Sequence, residues 1–187
     1  MSHKYLYLDI DGVLNSVLSE SDELSDASLD ILHEVQHKYN CTIVISSTWR
    51  LHNNSRLLME QLLVKHNIVQ SSGQLLYTPD LLGMGTRADE IIESLKSIIS
   101  VESNVIQYVI VDDMDILCSE SIQIQRLLAP HTVQIDGDIG LCKDDITRID
   151  SALIHVIEPY QQFKQVILSH DHMQTKHTGI DRNAITK

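Results

Sequence analysis

Two carboxylates lie two residues apart, just after an apolar segment near the start of the chain. In YLYLDIDGVLN, residues 5–15, Asp9 and Asp11 follow a run of large apolar and aromatic residues, and Gly12 comes next. In an extended segment, residues i and i+2 point the same way, so both carboxylates can face one ligand. Gly12 allows a sharp turn behind them. Like charges this close favour a cation beside them, and the residues leave open a metal ion, a basic side chain or only water.

Polar residues also follow two later apolar segments. Ser46 and Ser47 end the second segment, and Asp112 and Asp113 end the third. In open α/β sheets, ligands bind outside the carboxyl ends of the strands, so these residues are expected at one edge. Arg87 joins them if its helix begins near that edge, where a cation and a helix N-terminus both favour an anion.

Strand-like and helix-like segments alternate along the chain and must position these residues. The predicted strands span 5–10, 41–46, 104–111 and 131–135, and the predicted helices span 25–40, 53–67, 86–100, 119–129 and 142–157. This alternation is typical of an α/β fold with a mainly parallel sheet. Residues 67–85 are predicted to form a loop or a small hairpin.

Length and composition indicate one globular domain over residues 1–169 and a polar tail over 170–187. The chain has 187 residues, 43% of them hydrophobic, and a formal net charge of −12. That charge argues against nonspecific binding to nucleic acid or to anionic membranes. The sequence contains three cysteines and shows neither an apolar leader nor an apolar segment of membrane length. These features predict a cytoplasmic protein without a membrane partner.

Four motifs in this order resemble those of the haloacid dehalogenase (HAD) superfamily of phosphotransferases. They are LDIDGVLN, VISSTWR, TRADEI and VIVDD, and they lie within residues 5–150. Within that superfamily, DIDGVLN and SSTWR are most similar to the small phosphatase domains of some RNA-repair proteins. The resemblance implies a Rossmann-like three-layer sandwich with a mainly parallel central sheet. The spaces at 16–40 and 51–86 are too short for a large cap domain.

The resemblance also implies a Mg²⁺-dependent phosphomonoester hydrolase with an aspartyl-phosphate intermediate. Asp9 would be the nucleophile, and Asp11 would be the general acid and base. The expected ligands of Mg²⁺ are Asp9, the backbone carbonyl of Asp11, and Asp113, with Asp112 close by.

The remaining site residues would contact the phosphoryl group or the substrate. Ser46 and Arg87, with Ser47 sharing the role, are expected to bind phosphate. Trp49 and Arg50 are candidate substrate contacts. An uncapped site implies an extended, macromolecular substrate, either a phosphoprotein or a nucleic-acid end, because orientation must come from contacts spread over the partner.

Three further patterns lie outside these four motifs, and one of them matches a different class of enzyme. HEVQH, with His33, Glu34 and His37, matches the zinc-peptidase motif, but it lies on an ordinary amphipathic helix with no third ligand marked. Asp136 and Asp138 are predicted to form a turn. The third pattern is a set of three histidines in the predicted polar tail, His170, His172 and His177.

A signalling receiver and a non-catalytic phosphate-binding module remain alternatives to the enzyme. A receiver also places acids at strand ends, but in a different order along the chain. The expected motif residues are all present, namely Asp9, Asp11, Ser46 and Arg87. No substitution at these positions therefore supports a catalytically inactive module.

Overall fold

A five-stranded parallel sheet lies at the centre of the part of the chain that the structure describes. The structure is a computed structural model and describes residues 2–18, 23–102, 105–118, 120–155 and 160–169. The strands are β1 (His3–Leu8), β2 (Thr42–Ile45), β3 (Leu76–Tyr77), β4 (Ile106–Asp112) and β5 (Thr132–Gln134). Their spatial order is β3-β2-β1-β4-β5, with every neighbouring pair parallel. The strand that carries the first motif is therefore central.

Within the described ranges, six α-helices connect or follow these strands. They are α1 (Asp26–Tyr39), α2 (Asn53–Lys65), α3 (Arg87–Val101), α4 (Ile122–Leu128), α5 (Lys143–Ile154) and α6 (Tyr160–Ser169). Ser25 is the N-cap of α1. Thr86 is the N-cap of α3 and forms a capping box with Asp89, in which each side chain accepts from the other residue's backbone N–H. Side-chain oxygens at these positions satisfy backbone N–H groups that have no partner inside the helix.

The alternation of side chains along β1 divides the core between the two faces of the sheet. Leu6 and Leu8 belong to one apolar cluster, together with residues of α1, α2 and α5. Tyr5 and Tyr7 belong to the other, with residues of α3, α4 and α6. Both faces are covered by helices, as expected for a parallel sheet. The predicted three-layer α/β architecture is confirmed.

Residues 67–85 are mainly loop, one of the two predicted alternatives. In place of a hairpin, the loop contains a short 3₁₀ turn at Ser72–Gln74 and the two-residue strand β3, which pairs in parallel with β2. The described residues of the chain contain no separate cap domain.

At the C-terminal end, α6 was not among the predicted helices. It packs through Phe163 and Ile167 on the α3 side of the sheet. The predicted tail, 170–187, with its three histidines, lies outside the described residues. None of the described helices has the length and hydropathy needed to cross a lipid bilayer.

Candidate active site

The backbone of three adjacent strands brings the predicted site residues to one edge. The N–H of Asp9 donates to the carbonyl of Val111 at 3.0 Å, and the N–H of Ser46 donates to the carbonyl of Leu8 at 3.0 Å. Leu8 itself is in register with both Ile45 and Val111. The residues that follow β1, β2 and β4 are therefore side by side at the carboxyl edge, as the sequence predicts.

Three carboxylates meet at this edge. Asp9, Asp112 and Asp113 each place an oxygen within 4.8 Å of the others, and among the described residues this is the one such group of three. Asp9 and Asp112 are buried. Burial, followed by the charge of Asp9, raises the pKa of Asp112 well above its ordinary value, and the pKa of Asp113 is raised for the same two reasons. A cation at this position would relieve the repulsion between these groups.

Arg87 supplies one positive charge to the cluster. Its Nη1 lies 3.1 Å from Asp9 Oδ1 and 3.1 Å from Asp112 Oδ2. Burial opposes the charge of Arg87, but Asp9 and Asp112 outweigh it and raise the pKa of the guanidinium. Arg87 is the first residue of α3, so its charge and the helix N-terminus lie at the same place.

Two glycines make room for Asp113. A Cβ on Gly12 would lie 2.3 Å from Asp113 Oδ2, and one on Gly137 would lie 2.8 Å from the same oxygen. Gly12 also has a φ of +72°, in the region that glycine adopts more readily than other residues. The turn behind the first motif thus brings backbone against the acid cluster, and a side chain there would displace Asp113.

The two serines of the second motif have different environments. Ser46 Oγ is buried and has no hydrogen-bond partner among the residues that the structure describes. Ser47 Oγ accepts from the N–H of Trp49 at 3.3 Å and caps the 3₁₀ turn Thr48–Leu51. Because buried hydroxyl groups normally have partners, Ser46 is the serine whose hydroxyl is available for a ligand, whereas Ser47 has a structural contact of its own.

Asp11 is exposed and lies outside the three-carboxylate group, and two side chains hold its carboxylate. Trp49 Nε1 donates to Asp11 Oδ2 at 2.9 Å, and Asn15 Nδ2 donates to Asp11 Oδ1 at 3.1 Å. Asn15 Oδ1 in turn accepts from the N–H of Gly12 at 2.9 Å. Asn15 was not predicted as a site residue, and the DxDGxxN spacing was its only sequence signal.

Arg50 does not occupy the position expected for a substrate contact. Its side chain is 3% exposed, and Nη2 lies 2.9 Å from Glu90 Oε2. Its remaining hydrogen bonds go to backbone carbonyls, those of Ser46, Ser47, Thr78 and Pro79. Arg50 therefore connects three parts of the chain: the second motif, the segment that follows β3, and helix α3. The geometry gives Arg50 a positioning role in place of the expected contact.

The other singled-out residues lie away from this cluster or form turns. Asp136 Oδ1 accepts from the N–H of Asp138 at 3.1 Å, so the predicted turn is confirmed. His33 and His37 lie on α1 with ring centroids 6.2 Å apart. Within the described ranges they belong to no group of three potential metal ligands, so the zinc-peptidase pattern lacks its third ligand there.

The donor set suits Mg²⁺ rather than a softer metal. All three side chains of the cluster offer carboxylate oxygens, which hard cations prefer, and no thiolate or imidazole is among them. Burial, followed by the charge of Asp9, raises the pKa of Asp112 and of Asp113, and a cation here would favour their charged forms. The residues present therefore fit the ion that the family resemblance implies.

Comparison with known proteins agrees with the motif resemblance. Residues 5–146 match the family described as the HAD domain in Swiss Army Knife RNA repair proteins. No curated protein and no solved structure shows a significant match to the chain. The matched span runs from β1 into α5 and includes the acid cluster, Ser46 and Arg87. Because the matching family is a HAD family, the match gives no support to the receiver alternative. The chain therefore belongs to the HAD-domain family of Swiss Army Knife RNA repair proteins.

Proposed function

We propose that the chain is a Mg²⁺-dependent phosphomonoester hydrolase that works through a phosphoryl group on Asp9. The observation that carries this proposal is the convergence of the Asp9, Asp112 and Asp113 carboxylates beside Arg87. Buried acids next to an arginine and a helix N-terminus suit a cation and a phosphoryl group together. Membership of a HAD family supports a phosphatase-like activity at the same place.

The reaction has two steps on the side chains of the first motif. In the first, a carboxylate oxygen of Asp9 bonds to phosphorus, the bond from phosphorus to the leaving oxygen breaks, and Asp11 gives its proton to that oxygen. In the second, Asp11 takes a proton from a water molecule whose oxygen attacks phosphorus. The bond to Asp9 breaks, inorganic phosphate leaves, and both carboxyl groups return to their starting states.

The chain's own side chains bind and orient the phosphoryl group. The buried Ser46 hydroxyl, which bonds to none of the described residues, can donate to a phosphate oxygen. Arg87 offers charge-assisted hydrogen bonds to the same group. Asp9, Asp112 and Asp113 would hold Mg²⁺, with the backbone carbonyl of Asp11 as a further ligand. When bound, the ion supplies positive charge that offsets the charge on the phosphate oxygens.

We propose the phosphorylated end of a nucleic acid as the substrate. The family description names RNA repair, which favours a nucleic-acid end over a phosphoprotein. No cap encloses the site in the described part of the chain, so orientation must come from contacts along an extended substrate. The net charge of −12 favours a grip on the terminal nucleotides over attraction of a long polyanion.

A substrate panel in Mg²⁺ tests this proposal. The panel holds end-phosphorylated oligonucleotides of increasing length, a phosphopeptide and a sugar phosphate. We expect kcat/KM to favour the oligonucleotide by roughly 100-fold, about 2.7 kcal/mol, and to change little beyond the first few nucleotides. Chelation should abolish hydrolysis, and Mg²⁺, but not Zn²⁺, should restore it.

The other outcomes of the panel are equally informative. A preferred sugar phosphate would show that the segment before α3 closes over the site, and a preferred phosphopeptide would change the substrate class. Full activity in chelator would contradict the metal assignment. A chain that binds inorganic phosphate yet hydrolyses no member of the panel would be the non-catalytic phosphate-binding module.

A further inference from the structure

We propose that Trp49 is a positioning residue that holds the Asp11 carboxylate in its reactive orientation. This inference rests on the proposed function, in which Asp11 is the general acid and base. It assigns to the indole N–H a role different from the substrate contact expected from the sequence. The proposal follows from the contacts of Asp11 and from the way the 3₁₀ turn Thr48–Leu51 is anchored.

Trp49 reaches Asp11 from the apolar core. Trp49 is 7% exposed, and its ring belongs to the apolar cluster on the α1 side of the sheet. Nε1 is the single polar atom of that side chain, it can only donate, and it lies 2.9 Å from Asp11 Oδ2. The indole therefore has a fixed body in the core and a donor that reaches an exposed acid at the site.

Both oxygens of Asp11 are held. Asn15 Nδ2 donates to Oδ1 while Trp49 donates to Oδ2. The terminal torsion of an aspartate is otherwise broad and roughly two-fold, so an exposed Asp11 without these donors would turn freely. Proton transfer requires the acid within hydrogen-bond reach of the leaving oxygen, and small misplacements are costly. Two donors on two oxygens define the plane that the reaction needs.

The turn carrying Trp49 is itself rigid. Arg50 Nη1 donates to the carbonyls of Ser46 and Ser47 at 2.9 and 2.7 Å. Ser47 Oγ accepts from the N–H of Trp49. A buried arginine thus fixes the backbone that leads into the indole residue. The second motif supplies two functions at once, the hydroxyl of Ser46 for phosphate and the indole of Trp49 for Asp11.

Leaving-group dependence separates a positioning role from a merely structural one. A phosphate ester with a good aryl leaving group needs little protonation, whereas an alkyl ester needs a well-placed acid. We expect Trp49→Phe to lower kcat/KM for an alkyl phosphate by roughly 10- to 100-fold and for p-nitrophenyl phosphate by less than about 3-fold. In an Asp11→Asn background, Trp49→Phe should add no further leaving-group-dependent loss. Leu51→Ala, in the same turn, should leave both esters near wild type.

A second measurement needs no activity and no change at Trp49. The chain has one tryptophan, so its indole N–H gives one assignable ¹H–¹⁵N resonance. Asp11→Ala changes an exposed residue, and we expect the indole resonance to move upfield and its hydrogen exchange to quicken. The Leu51→Ala resonance should stay in place.

The outcomes distinguish this inference from the proposed function. An active wild type whose Trp49→Phe variant loses both esters equally, or loses neither, would overturn the positioning role alone. An indole resonance unmoved by Asp11→Ala would also overturn it. A wild-type chain that hydrolyses neither ester in Mg²⁺ would overturn the proposed function and the inference together.

Discussion

Ser46 and Ser47 are neighbours in sequence, but their hydroxyl groups have opposite surroundings. Ser46 Oγ is buried with no partner in the described part of the chain, so Ser46→Ala removes no side-chain hydrogen bond seen there. We expect unchanged stability with a fall in kcat/KM of roughly 10- to 100-fold, the usual value of a hydrogen bond to a charged group. Ser47→Ala is the matched control, because it loses the cap on Trp49. Ser47→Ala should lower the free energy of unfolding by roughly 1 kcal/mol, and its loss of kcat/KM should be smaller than that of Ser46→Ala. Equal kcat/KM in Ser46→Ala and wild type would remove Ser46 from the phosphate site.

Gly12 combines a positive φ with close contact to the acid cluster. In Gly12→Ala the new Cβ would lie 2.3 Å from Asp113 Oδ2, so the carboxylate must move and the backbone is strained. We expect a loss of about 1–3 kcal/mol in the free energy of unfolding and a higher Mg²⁺ requirement. Gly137→Ala crowds the same oxygen at 2.8 Å without a positive φ. It should raise the Mg²⁺ requirement with a smaller loss of stability. Urea unfolding and Mg²⁺ titration of activity measure both effects, and a Gly12→Ala chain equal to wild type in both would contradict the geometry.

At the scale of elements, Arg50 connects three of them through one buried guanidinium. It contacts the second motif, the carbonyls after β3 and Glu90 on α3. Arg50→Met would leave Glu90 and several buried carbonyls without their partner, and we expect a loss of about 3–5 kcal/mol in unfolding free energy. Adding Glu90→Gln should recover part of that loss, because the half-buried side chain at position 90 is then no longer charged. A loss below about 1 kcal/mol in chemical denaturation would show that these elements do not depend on Arg50.

His131 joins β4 to α5 and makes that contact sensitive to pH. Its Nδ1 donates to the carbonyls of Tyr108 and Ala152 at 3.1 and 3.2 Å, and its ring stacks on Tyr108. Burial, together with the nearby His155, lowers the pKa of His131 to about 4. The depressed value means that its contribution to stability is complete above about pH 6.5, the unfolded value, and is lost as the pH falls towards 4.

The His131 effect is measured against a variant that does not titrate. Between about pH 7.5 and pH 5, wild type should lose roughly 2 kcal/mol more unfolding free energy than His131→Asn, whose amide can still donate. Urea unfolding at the two pH values gives the difference. Parallel losses in the two proteins would mean that His131 does not carry the acid sensitivity.

At the scale of the whole molecule, the sequence predicted the sheet because its long strands are strongly apolar. Residues 5–8 of β1 and nearly all of β4 are buried on both faces of the sheet, and such segments stand out in sequence. The strand β3 has two residues and lies at the edge of the sheet, so no alternating pattern marks it. Helix α6 anchors mainly through Phe163 and Ile167, too few apolar positions to separate it from a polar tail.

The site was predictable to the extent that topology alone defines it. Asp9, Asp112 and Asp113 converge because each ends or follows a strand of one parallel sheet, and sequence order was enough to predict that. The contacts of Trp49 and Arg50 depend on the 3₁₀ turn after β2 and on the path of the chain after β3. Neither feature has a sequence period, so two side chains expected to face a substrate instead contact Asp11 and the backbone of the second motif.

The most direct test of the central claim is the chemistry of Asp9. Purified wild type and Asp9→Asn should be given an aryl phosphate in Mg²⁺, and the acid-quenched chains analysed by mass spectrometry. We expect wild type to carry one phosphoryl group on Asp9 and Asp9→Asn to carry none, with kcat/KM falling on the order of 10⁴-fold or more because the amide is not a competent nucleophile. Near-normal turnover by Asp9→Asn would contradict the proposed mechanism.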